Sequence, residues 1–263
     1  MKRVVILLYG VLSYAIFFAT FCYAVGFVGD LVVPKAIDTP PTRPLGVALL
    51  INCALLGLFA VQHSVMARPA FKRWWTRIIP RAAERSTYVL LSSLALIVLF
   101  VFWQPMGGTI WSVNNPVGRD LLLAGCAAGW VLVLVATFLI NHFDLFGLRQ
   151  AWLYYRGKPY TYLRFATPGP YQVVRHPLYV GFLMAFWFTP TMSAAHLLFA
   201  ALTTAYILVA VRLEERDLVT YHGPAYVAYA RRVPRLIPRL GRRWKPGEMV
   251  VEDRAATAPA QPG

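Results

Sequence analysis

The chain has 263 residues, of which 58% are hydrophobic and 14% are charged. Soluble domains contain about 25% charged residues, so this composition, with a mean hydropathy of +0.54, argues against a water-soluble enzyme. The formal net charge of +15 could suggest a nucleic-acid-binding protein, but the charged residues lie outside the long apolar segments. The composition therefore predicts a polytopic membrane protein without a nucleic-acid partner.

Four apolar segments, residues 4–28, 45–66, 88–103 and 121–140, approach the roughly 20 residues that a helix needs to cross a bilayer. A fifth apolar stretch, residues 178–211, is interrupted by Pro190, and proline ends or kinks helices. We expect this stretch to form two helices, about 178–188 and 193–211. The predicted fold is all-α, with four transmembrane helices and a C-terminal helical hairpin that need not cross the bilayer completely.

Basic residues are concentrated in alternate loops. Segment 67–87 holds six basic residues and one acidic residue, and segment 141–177 holds five basic residues and one acidic residue. Loops rich in Lys and Arg stay in the cytoplasm, so both termini are predicted to be cytoplasmic. We expect one integral membrane domain over residues 1–245 and a disordered tail over 246–263.

Ionisable residues collect at the predicted cytoplasmic ends of four segments. The set consists of His63 after the second span, His142, Asp144 and Arg149 after the fourth, Arg175 and His176 before the hairpin, and Glu214 and Glu215 after it. Ionisable residues at membrane depth commonly mark functional sites, so a pocket on the cytoplasmic side is predicted. The three cysteines stand alone without metal-ligand spacing, and no metal site is expected.

Two segments carry a distinctive pattern around the hairpin, GPYQVVRHPLYVG at residues 169–181 and EERDLVTYHGPAYVAYARRVPRLIP at residues 214–238. Together they resemble the C-terminal signature of the isoprenylcysteine carboxyl methyltransferase superfamily. The segments HSVMARPAFK (residues 63–72) and HFDLFGLRQ (residues 142–150) resemble its nurim-like branch. Within that branch the chain resembles bacterial methanethiol S-methyltransferases, which implies a location in a bacterial cytoplasmic membrane.

The resemblance implies an S-adenosylmethionine-dependent membrane methyltransferase that converts a small thiol, methanethiol, to dimethyl sulfide. It places the methyl-donor site within about residues 141–240. The implied cofactor-binding residues are Arg175, His176, Tyr179, Gly181, Glu214 and Glu215. Their individual contacts with the donor, and the oligomeric state, stay open.

A thiol is mostly protonated at neutral pH, so the reaction needs a base. His142 together with Asp144 is the first candidate and His63 the second, while Arg149 could favour the thiolate electrostatically. Two alternatives stay open. One is a methyltransferase of the same fold acting on a prenylcysteine carboxylate or a phospholipid amine, and the other is a non-catalytic, nurim-like structural membrane protein.

Overall fold

The structure is a computed structural model that describes residues 1–163 and 165–239. The predicted tail, residues 246–263, and the last residues of the predicted domain lie outside this part. The helices in the described residues are α1 (Lys2–Gly29), α2 (Leu45–Ala67), α3 (Pro69–Trp75), α4 (Arg81–Phe102), α5 (Pro116–Ile140), α6 (His142–Leu145), α7 (Leu148–Tyr155), α8 (Pro177–Trp187), α9 (Ala194–His222) and α10 (Pro224–Arg232). A 3-10 helix covers Gly169–Gln172, and two short strands are β1 (Thr109–Ser112) and β2 (Thr191–Ser193).

Five of these helices, α1, α2, α4, α5 and α9, are long and apolar enough to cross a membrane. This confirms the predicted all-α polytopic fold. The helix α4 begins at Arg81 rather than at residue 88, and α9 continues to His222 rather than ending at residue 211. The extension of α9 is expected physically, because its Glu, Arg and Leu residues favour helix and the first glycine follows at position 223.

The protein core lies between α1, α4 and α9. Phe27, Leu99 and Trp103 are completely buried there, and Phe199 packs against the rings of Phe27 and Trp103. By contrast, the outward side chains of α1, α2 and α5 include many exposed large apolar residues. Such surfaces are costly in water, and they are the surfaces that lipid tails cover.

The hairpin spans the helix bundle from one end to the other. Its first helix, α8, has 11 residues, so it is only about 16 Å long. The chain then reaches β2, which pairs antiparallel with β1 in the connection between α4 and α5, with Thr109 opposite Ser193. The side chain of Ser193 also contacts Asp38 in the α1–α2 connection. The turn of the hairpin therefore lies with these two connections, at what we call the opposite face.

The other end, which we call the N-terminal face, contains the start of α1. Tyr9 near this end of α1 donates a hydrogen bond to Thr87 near the start of α4 (2.9 Å). Arg68 at the end of α2 pairs with Asp217 near the end of α9 (3.0 Å). The α2–α4 connection, the segment from α6 to α8, the end of α9 and α10 therefore share the N-terminal face.

Close contact between α5 and α8 depends on two glycines. A Cβ atom added at Gly181 would lie 2.7 Å from the carbonyl oxygen of Gly129, and one added at Gly129 would lie 2.6 Å from the carbonyl oxygen of Gly181. Small residues allow helix backbones to approach in membranes. The structure thus places Gly181, an expected cofactor-binding residue, in the α5–α8 contact.

Candidate active site

The segment before α8 is held by the segment after α10. Pro177 occupies the first turn of α8, where the missing N–H costs nothing, and this leaves Arg175 and His176 just ahead of the helix. The backbone N–H of Arg175 donates to the carbonyl of Pro234 (2.9 Å), and that of His176 donates to the carbonyl of Arg235 (3.2 Å). The two resemblance segments are therefore in direct contact.

Glu215 is the centre of this contact and is only 8% exposed. Its Oε1 accepts from Arg175 (2.6 Å) and from Nε2 of His176 (3.2 Å), and its Oε2 accepts from Nε of Arg235 (2.8 Å). Arg175 also donates to the carbonyl of Val233 (3.0 Å). Both carboxylate oxygens of Glu215 and both terminal nitrogens of Arg175 are thus used within the protein.

Glu214, the neighbouring residue, has a different environment. Its side chain is 43% exposed. Its Oε2 accepts from the Tyr179 hydroxyl (2.9 Å) and lies 3.9 Å from Nδ1 of His176, while its Oε1 has no hydrogen-bond partner among the described residues. Glu214 is also near enough to Tyr88 and Tyr206 to act on them electrostatically. It is the accessible carboxylate of this site.

His63 reaches the same region from α2. Its Nε2 lies 2.8 Å from the Tyr88 hydroxyl, and its Nδ1 lies 3.1 Å from the Ser92 hydroxyl. The next residue, Ser64, donates to the Tyr206 hydroxyl of α9 (3.2 Å). The sequence did not predict that Tyr88 and Tyr206 lie in this region. Their only signal was a phenol within a largely apolar span.

His142 is 3% exposed and has both ring nitrogens occupied. The Thr137 hydroxyl donates to the carbonyl of Leu134 (2.7 Å), so it accepts from Nδ1 of His142 (2.8 Å). The Nε2 atom then accepts from the Tyr14 hydroxyl (2.8 Å). Burial lowers the pKa of His142, which keeps the imidazole neutral at physiological pH.

Asp144 does not pair with His142, although the sequence predicted that the two residues act together. Its Oδ1 pairs with Arg149 (2.8 Å), and its Oδ2 accepts from the Tyr160 hydroxyl (3.1 Å). Residues two apart on a helix do not face each other, which explains the separation. Burial and the negative charge of Asp144 raise the pKa of Tyr160 to about 12, so this phenol stays protonated. Arg149 also donates to the carbonyl of Thr161 (2.9 Å).

An aromatic layer lies between His142 and Tyr88. The ring of Phe146 is 4.8 Å from the imidazole of His142 and 3.9 Å from the stacked ring of Phe17. Both Phe17 and Phe146 pack against the apolar cluster that contains Tyr88. Of the two expected bases, it is therefore His63, through Tyr88, that lies on the Glu214 side of this layer.

Comparison with known proteins finds relatives that are similar to this chain over most of its length. A methanethiol S-methyltransferase from Crocosphaera subtropica is 57% identical over 243 residues, which cover 92% of this chain and 95% of that protein. The chain belongs to the methanethiol S-methyltransferase family. A second member, from Mycobacterium tuberculosis, is 54% identical over 238 residues and covers 90% of this chain and 98% of its own length.

More distant relatives agree with the expected branch. Nurim from Xenopus laevis is 30% identical over 175 residues, which cover 64% of this chain and 61% of nurim. No protein-family model and no solved structure matches the chain. The chain is therefore related to methanethiol S-methyltransferases and, more distantly, to nurim. Segments 63–72 and 142–150 of the sequence indicated the same branch.

Proposed function

We propose that the protein is an S-adenosylmethionine-dependent membrane enzyme that methylates methanethiol to dimethyl sulfide. The observation that carries this proposal is the similarity to enzymes of that name, at 57% identity over 92% of the chain. The five apolar helices agree with a small apolar substrate that partitions into lipid. The basic N-terminal face is proposed to be cytoplasmic, so that the water-soluble donor reaches the site from the cytosol.

The residues around Glu214 fit the charge of the donor. S-adenosylmethionine carries a sulfonium, an ammonium and a carboxylate, so its net charge is positive. Glu214 offers a carboxylate oxygen without a described partner, next to Tyr179, and aromatic rings attract cations. We assign donor binding to Glu214 and Tyr179. Arg175, His176 and Glu215 are assigned the role of holding this part of the chain in position.

The structure favours His63 over His142 as the base. When bound, the donor supplies an electrophilic methyl group. Tyr88 can take the thiol proton while it gives its own hydroxyl proton to Nε2 of His63, 2.8 Å away. Nδ1 of His63 then remains protonated and faces Ser92. The thiolate would then attack the methyl carbon while the bond from that carbon to the sulfonium sulfur breaks. Dimethyl sulfide and S-adenosylhomocysteine would leave, and His63 would return the proton to solvent.

Placing the two reactants and excluding water from them are the main tasks left to the protein. Transfer between a thiolate and a sulfonium joins opposite charges, so water, which stabilises the separated charges, slows it. Phe59 stacks on the imidazole of His63 at 5.1 Å and contacts the ring of Tyr206. These rings shield the proposed base from solvent, and alignment of the reactants can contribute about 7–11 kcal/mol.

The test is an assay of the purified full chain with methyl-labelled S-adenosylmethionine and methanethiol, with detection of labelled dimethyl sulfide in the headspace. Glu214→Gln is expected to raise the donor KM at least about tenfold, since a charged hydrogen bond contributes about 1.5–3 kcal/mol, with little change in thermal stability. Glu215→Gln is expected to lower stability instead, because it leaves the buried Arg175 guanidinium without its counter-charge. Asp120→Asn, at an exposed position on α5, is the matched control.

Other outcomes of this assay have definite meanings. Donor binding without dimethyl sulfide would redirect the search to prenylcysteine carboxylates or phospholipid amines as acceptors. Absence of donor binding by folded protein would overturn the proposal and favour the non-catalytic, structural alternative. Donor affinity that is unchanged in Glu214→Gln would show that the donor binds elsewhere.

A further inference from the structure

A cleft with a volume of ≈ 570 Å³ lies on the outer side of α9 at the N-terminal face. It is lined by Arg212, Glu215, Arg216, Val219, Thr220 and Arg235. Ligand-binding clefts commonly have volumes of about 300–1,000 Å³, so this one can accept a small polar group. Neither the proposed donor site nor the proposed base includes its arginines.

The cleft is built by a helix face and one crossing side chain. Arg212, Arg216 and Thr220 are spaced four residues apart on α9, so they lie on one face of the helix, and all three are exposed. Neither Arg212 nor Arg216 forms an ion pair among the described residues. Arg235 reaches over from the segment after α10, and its Nε is bound to Glu215 (2.8 Å) while its side chain is 53% exposed. Three guanidinium groups thus face one space.

The charge of the cleft selects an anion. Among the described residues that line the cleft, the only carboxylate is that of Glu215, and it is already bonded to Arg175 and Arg235. A net-cationic methyl donor is therefore disfavoured in this cleft, in contrast to the surroundings of Glu214. Guanidinium groups bind phosphate with two parallel hydrogen bonds, so three of them facing one space suit a phosphate group.

The depth of the cleft points to the source of the phosphate. Arg212 is the first Asp, Glu, Lys or Arg residue of α9, after the 18 residues from 194 to 211. At 1.5 Å per residue these measure about 27 Å, close to the roughly 30 Å of a bilayer core. Arg212 therefore lies at the edge of the hydrocarbon region, and Arg216 lies one turn farther, at the depth of lipid phosphates.

We propose that this arginine cleft binds the phosphate group of an anionic phospholipid. A lipid bound there contacts both α9 and the segment that contains Arg235. It therefore links α9 to the cluster centred on Glu215. Each arginine near a negatively charged membrane surface contributes about 1 kcal/mol. The bound lipid is thus a ligand of the resting protein and takes no part in methyl transfer.

The test uses the full chain in detergent, titrated with phosphatidylglycerol or with phosphatidylcholine, with bound lipid counted by native mass spectrometry. The wild type is expected to bind phosphatidylglycerol more tightly. The double variant Arg212→Gln, Arg216→Gln is expected to bind it about 30-fold more weakly, the fold-change for two arginines at about 1 kcal/mol each. Arg77→Gln, an exposed arginine on the same face, controls for general surface charge and is expected to bind like the wild type.

Three results would overturn the proposal. Equal affinity of the double variant and the wild type for phosphatidylglycerol would remove the arginines from lipid binding. Displacement of the lipid by inorganic phosphate at equal concentration would identify a soluble anion as the ligand. A raised donor KM in the double variant, with lipid binding unchanged, would assign the cleft to the carboxylate of the donor.

Discussion

Glu214 and Glu215 are adjacent in sequence but have different environments, because consecutive residues of a helix point about 100° apart. Glu215 faces Arg175 and Arg235 and is buried, while Glu214 faces Tyr179 and remains half exposed. A buried carboxylate with three donors is costly to disturb and has no free oxygen for a ligand. At the scale of single residues, the proposed function therefore assigns two tasks to the paired glutamates, with Glu215 holding the site together and Glu214 binding the donor.

His142 gives rise to a prediction about pH. Burial lowers its pKa in the folded protein, so the unfolded chain, with a His pKa near 6.5, takes up the proton first. The stability that neutral His142 provides is therefore present above pH 6.5 and declines as the pH falls below it, by at most about 1.4 kcal/mol per pH unit. Thermal unfolding of the detergent-purified protein between pH 8 and pH 5 measures this decline.

The variant His142→Gln isolates that residue from the other histidines. Glutamine can donate a hydrogen bond to Thr137 but does not titrate, so the variant is expected to lose less stability than the wild type as the pH falls. Parallel curves for the two proteins would show that His142 is not the group whose protonation opposes folding. Dimethyl sulfide production by this variant should persist if His63 is the base.

At the scale of secondary structure, the apolar spans were predictable because length and hydropathy depend on local sequence. The pairing of β1 with β2 was not, since TIWS and TMS are short segments whose partner is remote in the chain. Among site residues, Arg175 and Glu215 were predictable from their motif. Arg235 and Tyr88 enter through tertiary contacts, which no local pattern encodes.

The contact of α8 with α5 gives a prediction at this scale. Gly181→Ala places a Cβ 2.7 Å from the Gly129 carbonyl oxygen and 2.9 Å from the Val133 nitrogen, so the helices must separate. Overpacking of this kind costs about 1–3 kcal/mol, and a lower Tm in detergent is expected. Gly57→Ala is the matched control, because a Cβ there meets no atom within 4 Å. An unchanged Tm in Gly181→Ala would show that the α5–α8 contact can relax without cost.

At the scale of the whole molecule, the path of the hairpin determines which face each loop occupies. Ser193 lies beside Thr109 and contacts Asp38, so the hairpin turn shares a face with the α1–α2 and α4–α5 connections. The basic connections lie at the other face, which the positive-inside rule assigns to the cytoplasm. A hairpin that did not cross the bilayer would instead keep its turn apart from the α1–α2 and α4–α5 connections.

Cysteine labelling in intact cells distinguishes these arrangements. In a full-length chain with its three native cysteines replaced by serine, Asn114→Cys and Thr191→Cys lie at the opposite face, and Arg77→Cys and Tyr221→Cys lie at the N-terminal face. All four positions are exposed. A membrane-impermeant maleimide is expected to label the first pair in intact cells and the second pair only after permeabilisation. Labelling of Asn114→Cys but not of Thr191→Cys in intact cells would contradict a hairpin that crosses the membrane. Labelling of only Arg77→Cys and Tyr221→Cys in intact cells would place the proposed donor site outside the cytoplasm, where S-adenosylmethionine would have to be supplied differently.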